Sequence, residues 1–304
     1  MCGISGLINQ KGFSSKELVE MTHIVRHRGP DDEGYALWKN IDDEPAIFGG
    51  EDTPQDVFQS ERDYLPQIRL LKSDAVNCCL AFGHRRLSII DLSPNGHQPM
   101  SYLGNRYWIV LNGEIYNYIE IKEELHAKGY KFQSNTDTEV VMAAYHEWGV
   151  SCQQKFNGMW AFVIYDSKEK TIFISRDRFG IKPLYYWISP NCTFHFASEI
   201  KQFTVCEGWA ASLNADMAYD YLLYSITDHT EETMFKGVFQ ILPGHYFFEN
   251  INKMPASSGT SIDQKKWYQL PNETFVGDFS SAKMQFLQHF HSAIELHLRA
   301  DVPV

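Results

Sequence analysis

Apolar positions along the chain follow two alternating rhythms. Ile4, Leu7 and Ile8 make residues 2–9 a short buried run, which predicts a strand. Leu18, Met21, Ile24 and Val25 then recur at helical spacing. Ser14 or Ser15 stands where a helix is capped, and Gly29-Pro30 where it stops. Residues 79–82, 87–90 and 107–111 read as strands, the last strongly apolar. Residues 119–128 and 138–148 read as helices, followed by Gly129 and Gly149 at positions suited to the left-handed turn past a helix end. Four strands come next in close succession, over 159–165, 171–175, 184–188 and 193–197. A helix over 211–224, a strand over 244–249 and a polar stretch over 250–272 precede the last helix, where Leu287, Phe290, Ile294 and Leu298 share one face. Residues 40–77 are acidic and broken by Gly49-Gly50 and Pro54, and read as an inserted surface excursion with little regular structure. Short strands in two groups with few helices between them predict an α+β layered sandwich. No internal repeat is visible.

Composition narrows the function classes. The 304 residues suggest about two domains, and 44% apolar content with 14% aromatic supplies a substantial core. A net charge of −11 argues against nucleic acid and anionic membranes as partners. No apolar run approaches the ~20 residues that span a bilayer, and no secretory leader pattern opens the chain. Six cysteines (Cys2, Cys78, Cys79, Cys152, Cys192, Cys206) show neither a CxxC motif nor a regular framework, which fits a reduced, cytoplasmic compartment.

Candidate chemistry starts at the N-terminus. Loss of Met1 would leave Cys2 with a thiol and a free α-amine on one residue, a nucleophile and its base together. The plainer reading is a small residue ahead of a strand. Residues 26–32 form a charged turn, whose plain reading is a solvated helix end. His23 and His27 lie one helical turn apart, but no Cys, Asp or Glu cluster matches them, so no metal is expected. Residues 83–91 bring Arg85 and Arg86 to the mouth of a strand, where a guanidinium can hold a carboxylate bidentately or make a surface ion pair. Asn112-Gly113 pairs a carboxamide with a glycine N–H, the donors of an oxyanion hole; the same pair favours a type I′ hairpin turn. Asp137 or Thr136 caps a helix, and Asp137 could also hold a substrate ammonium.

Seven stretches (2–4, 26–32, 84–91, 112–118, 137–140, 156–166 and 176–186) match, in order, the glutaminase half of glutamine-dependent asparagine synthetases. Over about residues 2–220 the chain resembles that half, a class II glutamine amidotransferase with the N-terminal-nucleophile hydrolase fold. The resemblance implies a four-layer αββα sandwich of two antiparallel sheets between helices. It implies a glutaminase domain over 2–217, a connecting segment over 218–277, and over 278–304 the beginning of an α/β ATP-pyrophosphatase-type synthetase domain. In that family, residues 300–304 lead into a Ser-Gly-Gly-x-Asp-Ser pyrophosphate loop, which the chain lacks, so it is expected to be a fragment.

Cys2 is then the implied nucleophile, forming a thioester, with Asn112 and Gly113 as the oxyanion hole. Arg86 takes the α-carboxylate of L-glutamine, helped by backbone groups of Leu87, Ile89 and Ile90. Asp137 takes the α-ammonium, with Glu114 nearby. Residues 26–32 and 176–183 are expected to shape the site and its outlet. The glutaminase reaction needs no cofactor; ATP and magnesium are expected only for the synthetase domain. There the ammonia would meet an activated carboxylate, with aspartate the expected acceptor, and a homodimer is one assembly the resemblance admits. The excursion at 40–77 is longer than in compact asparagine synthetases, which keeps other acceptors open, such as sugar acids of surface polysaccharides. Two further alternatives are a hydrolase of another amide and, with Met1 retained, a non-catalytic module.

Overall fold

The computed structural model describes residues 1–70, 73–255 and 257–303. In chain order the strands are β1 (Gly3–Ser14), β2 (Asp32–Trp38), β3 (Ala46–Gly49), β4 (Asn77–Arg86), β5 (Met100–Tyr102), β6 (Tyr107–Ile115) and β7 (Gly158–Asp166). They continue with β8 (Thr171–Arg176), β9 (Tyr185–Ile188), β10 (Phe194–Ala197), β11 (Val238–Gln240), β12 (His245–Asn250) and β13 (Lys265–Lys266). The helices are α1 (Ser15–His23), α2 (Tyr118–Ala127), α3 (Asp137–Trp148), α4 (Ala215–Tyr224) and α5 (Phe279–His297). One antiparallel sheet has the order β11-β9-β10-β1-β4-β2-β3, and the other β13-β12-β8-β7-β6-β5. The long β1 is therefore central to its sheet, with Cys2 immediately ahead of its N-terminal end.

Alternation along the strands explains the layering. In β1, β2 and β4, Ile4, Ile8, Ala36, Trp38, Leu80 and Phe82 enter the core shared with the second sheet. Leu7, Tyr35, Leu37 and Ala81, one residue out of phase, pack with Leu18, Val19 and Met21 of α1. Trp38 sits between the sheets, edge-on to Trp108 and Tyr165 at 5.5 Å between centroids. Residues 140–144 of α3 are buried against the second sheet. Helix, sheet, sheet and helix give the four layers expected from the sequence, and the fold is that αββα sandwich.

Local signals are honoured at the helix ends. Ser14 caps α1, its hydroxyl accepting from Lys16 N–H, and Thr136 caps α3, accepting from Glu139 N–H at 3.2 Å. Gly129 and Gly149 take positive φ, +93° and +57°.

Two expectations are corrected and one alternative is set aside. Residues 87–90 are not a strand: β4 ends at Arg86, where its neighbour β2 runs out at Asp32. Beyond that point the N–H groups turn elsewhere, Leu87 to Cys2 Sγ and Ser88 to the Asp31 carboxylate. Asn112-Gly113 is not a hairpin turn, because β6 runs on to Ile115 and pairs Asn112 with Ala161 and Gly113 with Trp160. The excursion is not merely superficial: Val57, Tyr64, Leu65 and Leu70 are buried. Arg62 ties it to Asn95 and Gln133, and Asp52 reaches the fully buried Arg85 at 2.8 Å.

Residues 71–72 of that segment lie outside the described residues. Strands β11 to β13 extend both sheets well past residue 217. By contrast α5 buries no residue, and Leu287, Phe290 and Ile294 stay exposed. Among the described residues no helix is long and apolar enough to cross a membrane.

Candidate active site

Cys2 stands just ahead of β1, whose first pairs are Gly3 with Arg85 and Ile4 with His84. Its carbonyl is held from the side: Arg28 Nε donates to Cys2 O at 2.8 Å, and Arg28 Nη1 meets Glu199 at 3.0 Å. Ile4 N–H donates to Ser198 Oγ at 3.0 Å. The charged turn at 26–32 is thus more than a solvated helix end, since its buried Arg28 fixes the backbone that presents the thiol. Leu87 N–H donates to Cys2 Sγ at 3.4 Å. Burial pushes the Cys2 thiol above its ordinary pKa, opposed by the Leu87 N–H, the chain's α-amine and Arg86. Burial likewise lowers the pKa of the α-amine, carried by Met1, and nearby Lys182 and Arg28 lower it further.

One cavity is lined by all nine residues proposed from the sequence: Cys2, Arg86, Leu87, Ile89, Ile90, Asn112, Gly113, Glu114 and Asp137. Met1 also lines it, together with Gln98, Thr136, Thr138 and Lys182.

Arg86 is nearly buried and bends over the loop that follows it. Its Nη1 donates to Ser93 O at 3.1 Å, and its Nη2 to Ile90 O at 3.3 Å and to Asp91 O. A Cβ on Gly96 would overlap this guanidinium, so a larger residue there would have to displace Arg86. Arg85, one residue earlier, points to the opposite face of the sheet and pairs with Asp52 and Glu33, away from the cavity.

Asn112 is fully buried, yet neither Nδ2 nor Oδ1 has a hydrogen-bond partner. A buried unpaired carboxamide costs on the order of 1–3 kcal/mol, so it asks for a functional reason. Just before it, His84 Nε2 donates to Leu111 O at 3.0 Å, and Leu111 N–H donates to Gln98 Oε1 at 2.7 Å. Trp160 exchanges both its backbone groups with Asp177 on the far side. Gly113, opposite Trp160, therefore does not bond to β7, and its N–H points to the same side as that of Leu111. A Cβ on Gly113 would overlap Met159 O.

Asp137 begins α3 and accepts from Ile115 N–H at 2.9 Å. Burial, with Glu114 close by, pushes its carboxyl up to about 6. Burial also raises Glu114, which Lys182 opposes, and lowers Lys182, which Glu114 opposes. The cavity thus presents two cations, two carboxyls, a thiol and an unpaired carboxamide.

A stability consequence follows from Asp137. Its folded pKa lies above the ordinary 3.8, so its ionised form is penalised in the fold. The stability it contributes is complete below about pH 4 and is lost as pH rises through about 6. Asp137→Asn should therefore raise Tm at pH 8 and leave it unchanged near pH 4, as thermal melts at both pH values would read. An equal change at both would contradict the shift.

Lys182 and Gln98 were missed from the sequence. Lys182 lies within 176–183, the stretch expected to shape the site and its outlet. Its loop is folded by Asp177, whose buried carboxylate accepts from Phe179, Ile181 and Lys182 N–H groups. Away from the cavity, Glu17, His195 and Cys206 bring three potential ligand atoms within 4.8 Å of one another, the one such group among the described residues. There His195 faces Glu17 at 3.5 Å and the Cys206 thiol donates to Gln202 O.

The sandwich resembles the solved glutamine phosphoribosylpyrophosphate amidotransferase from Bacillus subtilis, complexed with ADP and GMP. The TM-score is 0.58 at 19% identity, over 85% of this chain and 49% of that one. The two chains thus share a fold. Residues 72–266 match the glutamine amidotransferase domain family, and the chain belongs to that family, in its class II.

Asparagine synthetase [glutamine-hydrolyzing] 1 of Bacillus subtilis (strain 168) is 31% identical over 309 residues, covering 100% of this chain and 41% of the relative. Putative asparagine synthetase [glutamine-hydrolyzing] 2 of Methanocaldococcus jannaschii is 30% identical over 321 residues, covering 100% and 53%. The chain thus spans about half, or less, of the length of these curated relatives.

Proposed function

We propose that this chain hydrolyses L-glutamine to glutamate and ammonia through a thioester on Cys2. The observation that carries the reading is the buried, unpartnered Asn112 carboxamide in a cavity that also holds the Cys2 thiol and charges of both signs. In the proposed reaction the Cys2 sulfur attacks the side-chain amide carbon of glutamine, and its proton passes to the α-amine. Asn112 Nδ2 and Gly113 N–H receive the oxyanion. The α-amine returns the proton to the leaving nitrogen as the C–N bond breaks, giving ammonia and a γ-glutamyl thioester. Water then attacks the thioester, releasing glutamate and restoring the thiol. The base must be the amine of Cys2 itself, so Met1 has to be removed; this also clears a side chain from the cavity wall.

Arg86 is assigned the α-carboxylate and Asp137 the α-ammonium, with Glu114 beside it and Leu87, Ile89 and Ile90 supplying backbone and wall. Losing a charge-assisted contact to substrate costs roughly 2–5 kcal/mol, so Arg86→Ala and Asp137→Ala should each lower kcat/KM for glutamine about 30-fold or more. Steady-state ammonia release measures this. Normal glutamine binding by Arg86→Ala would remove its assignment, and Arg85, turned away, could not replace it.

The ammonia is assigned to an ATP-activated carboxylate, with aspartate the acceptor, on a synthetase domain that begins near residue 278. Two of the most similar relatives are named as asparagine synthetases, which supports that acceptor. Among the described residues, the one adjacent glycine pair, Gly49-Gly50, is a poor place for the phosphates of ATP. A phosphate cradle needs open backbone N–H groups. In the one adjacent glycine pair, a Cβ on Gly50 would overlap the Glu33 carboxylate. With ATP, magnesium, glutamine and aspartate, the chain should yield glutamate and ammonia without pyrophosphate or asparagine. Aspartate-dependent pyrophosphate release would overturn this. A cytoplasmic setting is supported by six cysteines that are all unpaired.

A further inference from the structure

The C-terminal end of the described chain reaches back to the cavity. Asp301 N–H donates to Ile89 O at 2.9 Å, and Asp301 Oδ2 accepts from Asp91 N–H at 2.8 Å. One residue therefore grips the loop at 87–91 at two points. Two positions earlier, Arg299 Nη1 donates to Tyr116 O at 2.7 Å, and the guanidinium forks onto the Glu120 carboxylate at 2.6 and 2.7 Å. The His297 ring lies on Tyr116, with centroids 4.0 Å apart.

The gripped loop is the one that orients Arg86, through the carbonyls of Ile90 and Asp91. Asp91 has φ +53°, a left-handed conformation that non-glycine residues seldom adopt without support. Its carboxylate accepts from Asn135 N–H at 2.9 Å, in the turn that leads to Asp137. Arg86, its loop and the start of α3 are thus one hydrogen-bonded unit, which Asp301 closes from outside. Tyr116, held by Arg299, directly follows Ile115, the residue whose N–H binds Asp137.

We infer that Asp301, assisted by Arg299, is a positioning latch on the glutamine-recognition loop, setting substrate affinity through Arg86 without taking part in the chemistry at Cys2. This rests on the glutamine reading of the cavity. Arg299 and Asp301 lie just past the end of α5 at His297, a helix that buries no residue of its own.

The test uses the whole chain. Asp301 is exposed, so Asp301→Ala leaves the core untouched. Loss of a hydrogen bond to a charged group corresponds to about tenfold or more in KM for glutamine, with kcat within about twofold. Asp301→Asn keeps an oxygen for the Asp91 N–H and should restore KM. Hydrogen exchange gives an independent reading: the Asp91 amide should be protected in the wild type and exchange about tenfold faster in Asp301→Ala. Unchanged KM together with unchanged Asp91 protection would overturn the latch, as would a loss confined to kcat. A wild-type chain without glutaminase activity would instead count against the functional reading. Amide exchange alone then decides the latch: acceleration in Asp301→Ala supports it, and no change refutes it.

Discussion

Cys2→Ala should abolish glutamine hydrolysis while leaving the protein folded. The substitution removes the sulfur that attacks the amide and keeps the α-amine, so proton transfer has nothing to serve. Cys2 precedes β1 and lines the cavity, so its side chain adds little to the core. Stability should change by less than about 1 kcal/mol. Arg28 holds the Cys2 carbonyl rather than its side chain, so the backbone at this position should be unmoved. Ammonia release and a thermal melt on the same sample read both halves of the expectation. Hydrolysis at a comparable rate would remove the thiol from the mechanism. Cys78 and Cys152 are fully buried and do not line the cavity, so neither offers a substitute nucleophile.

Asn112→Ala should lower kcat by roughly 10²–10³-fold with KM nearly unchanged, the effect of losing one oxyanion donor. Its carboxamide has no partner in the free protein, so it is available to the oxyanion as charge develops. The same fact sets the stability outcome. Removing two unpaired buried polar atoms relieves a desolvation cost that offsets part of the packing lost with the side chain. Tm should therefore fall little. A variant with raised KM and unchanged kcat would show that Asn112 binds the ground state instead.

Much of this was legible in the sequence wherever the cause is local. Capping serines and threonines, glycines past helix ends and the buried run at 107–111 each act over a few residues, and the elements they mark are present. The nine site residues could be named because the stretches that hold them resemble those of glutamine-dependent asparagine synthetases, and they line one cavity. Where partners are distant in sequence, local pattern does not reveal them. Residues 87–90 have strand-like composition, but the sheet offers them no neighbour once β2 ends at Asp32. Asn112-Gly113 has the local preference of a turn, and nine cross-strand pairs between β6 and β7 override it. The excursion looked superficial because its acidic residues dominate the pattern. Its anchor is an ion pair between Asp52 and Arg85, 33 positions apart. Lys182 reaches the cavity only because Asp177 folds the intervening loop, and Gln98 because it braces Leu111. No local pattern signals either.

The thioester is the central claim, and rapid-quench mass spectrometry of the protein during glutamine turnover tests it most directly. The account predicts that Met1 is absent and that a γ-glutamyl group is carried on the N-terminal peptide at Cys2, appearing with substrate and vanishing as it is consumed. Turnover with Met1 retained, or with no adduct on that peptide, would contradict it.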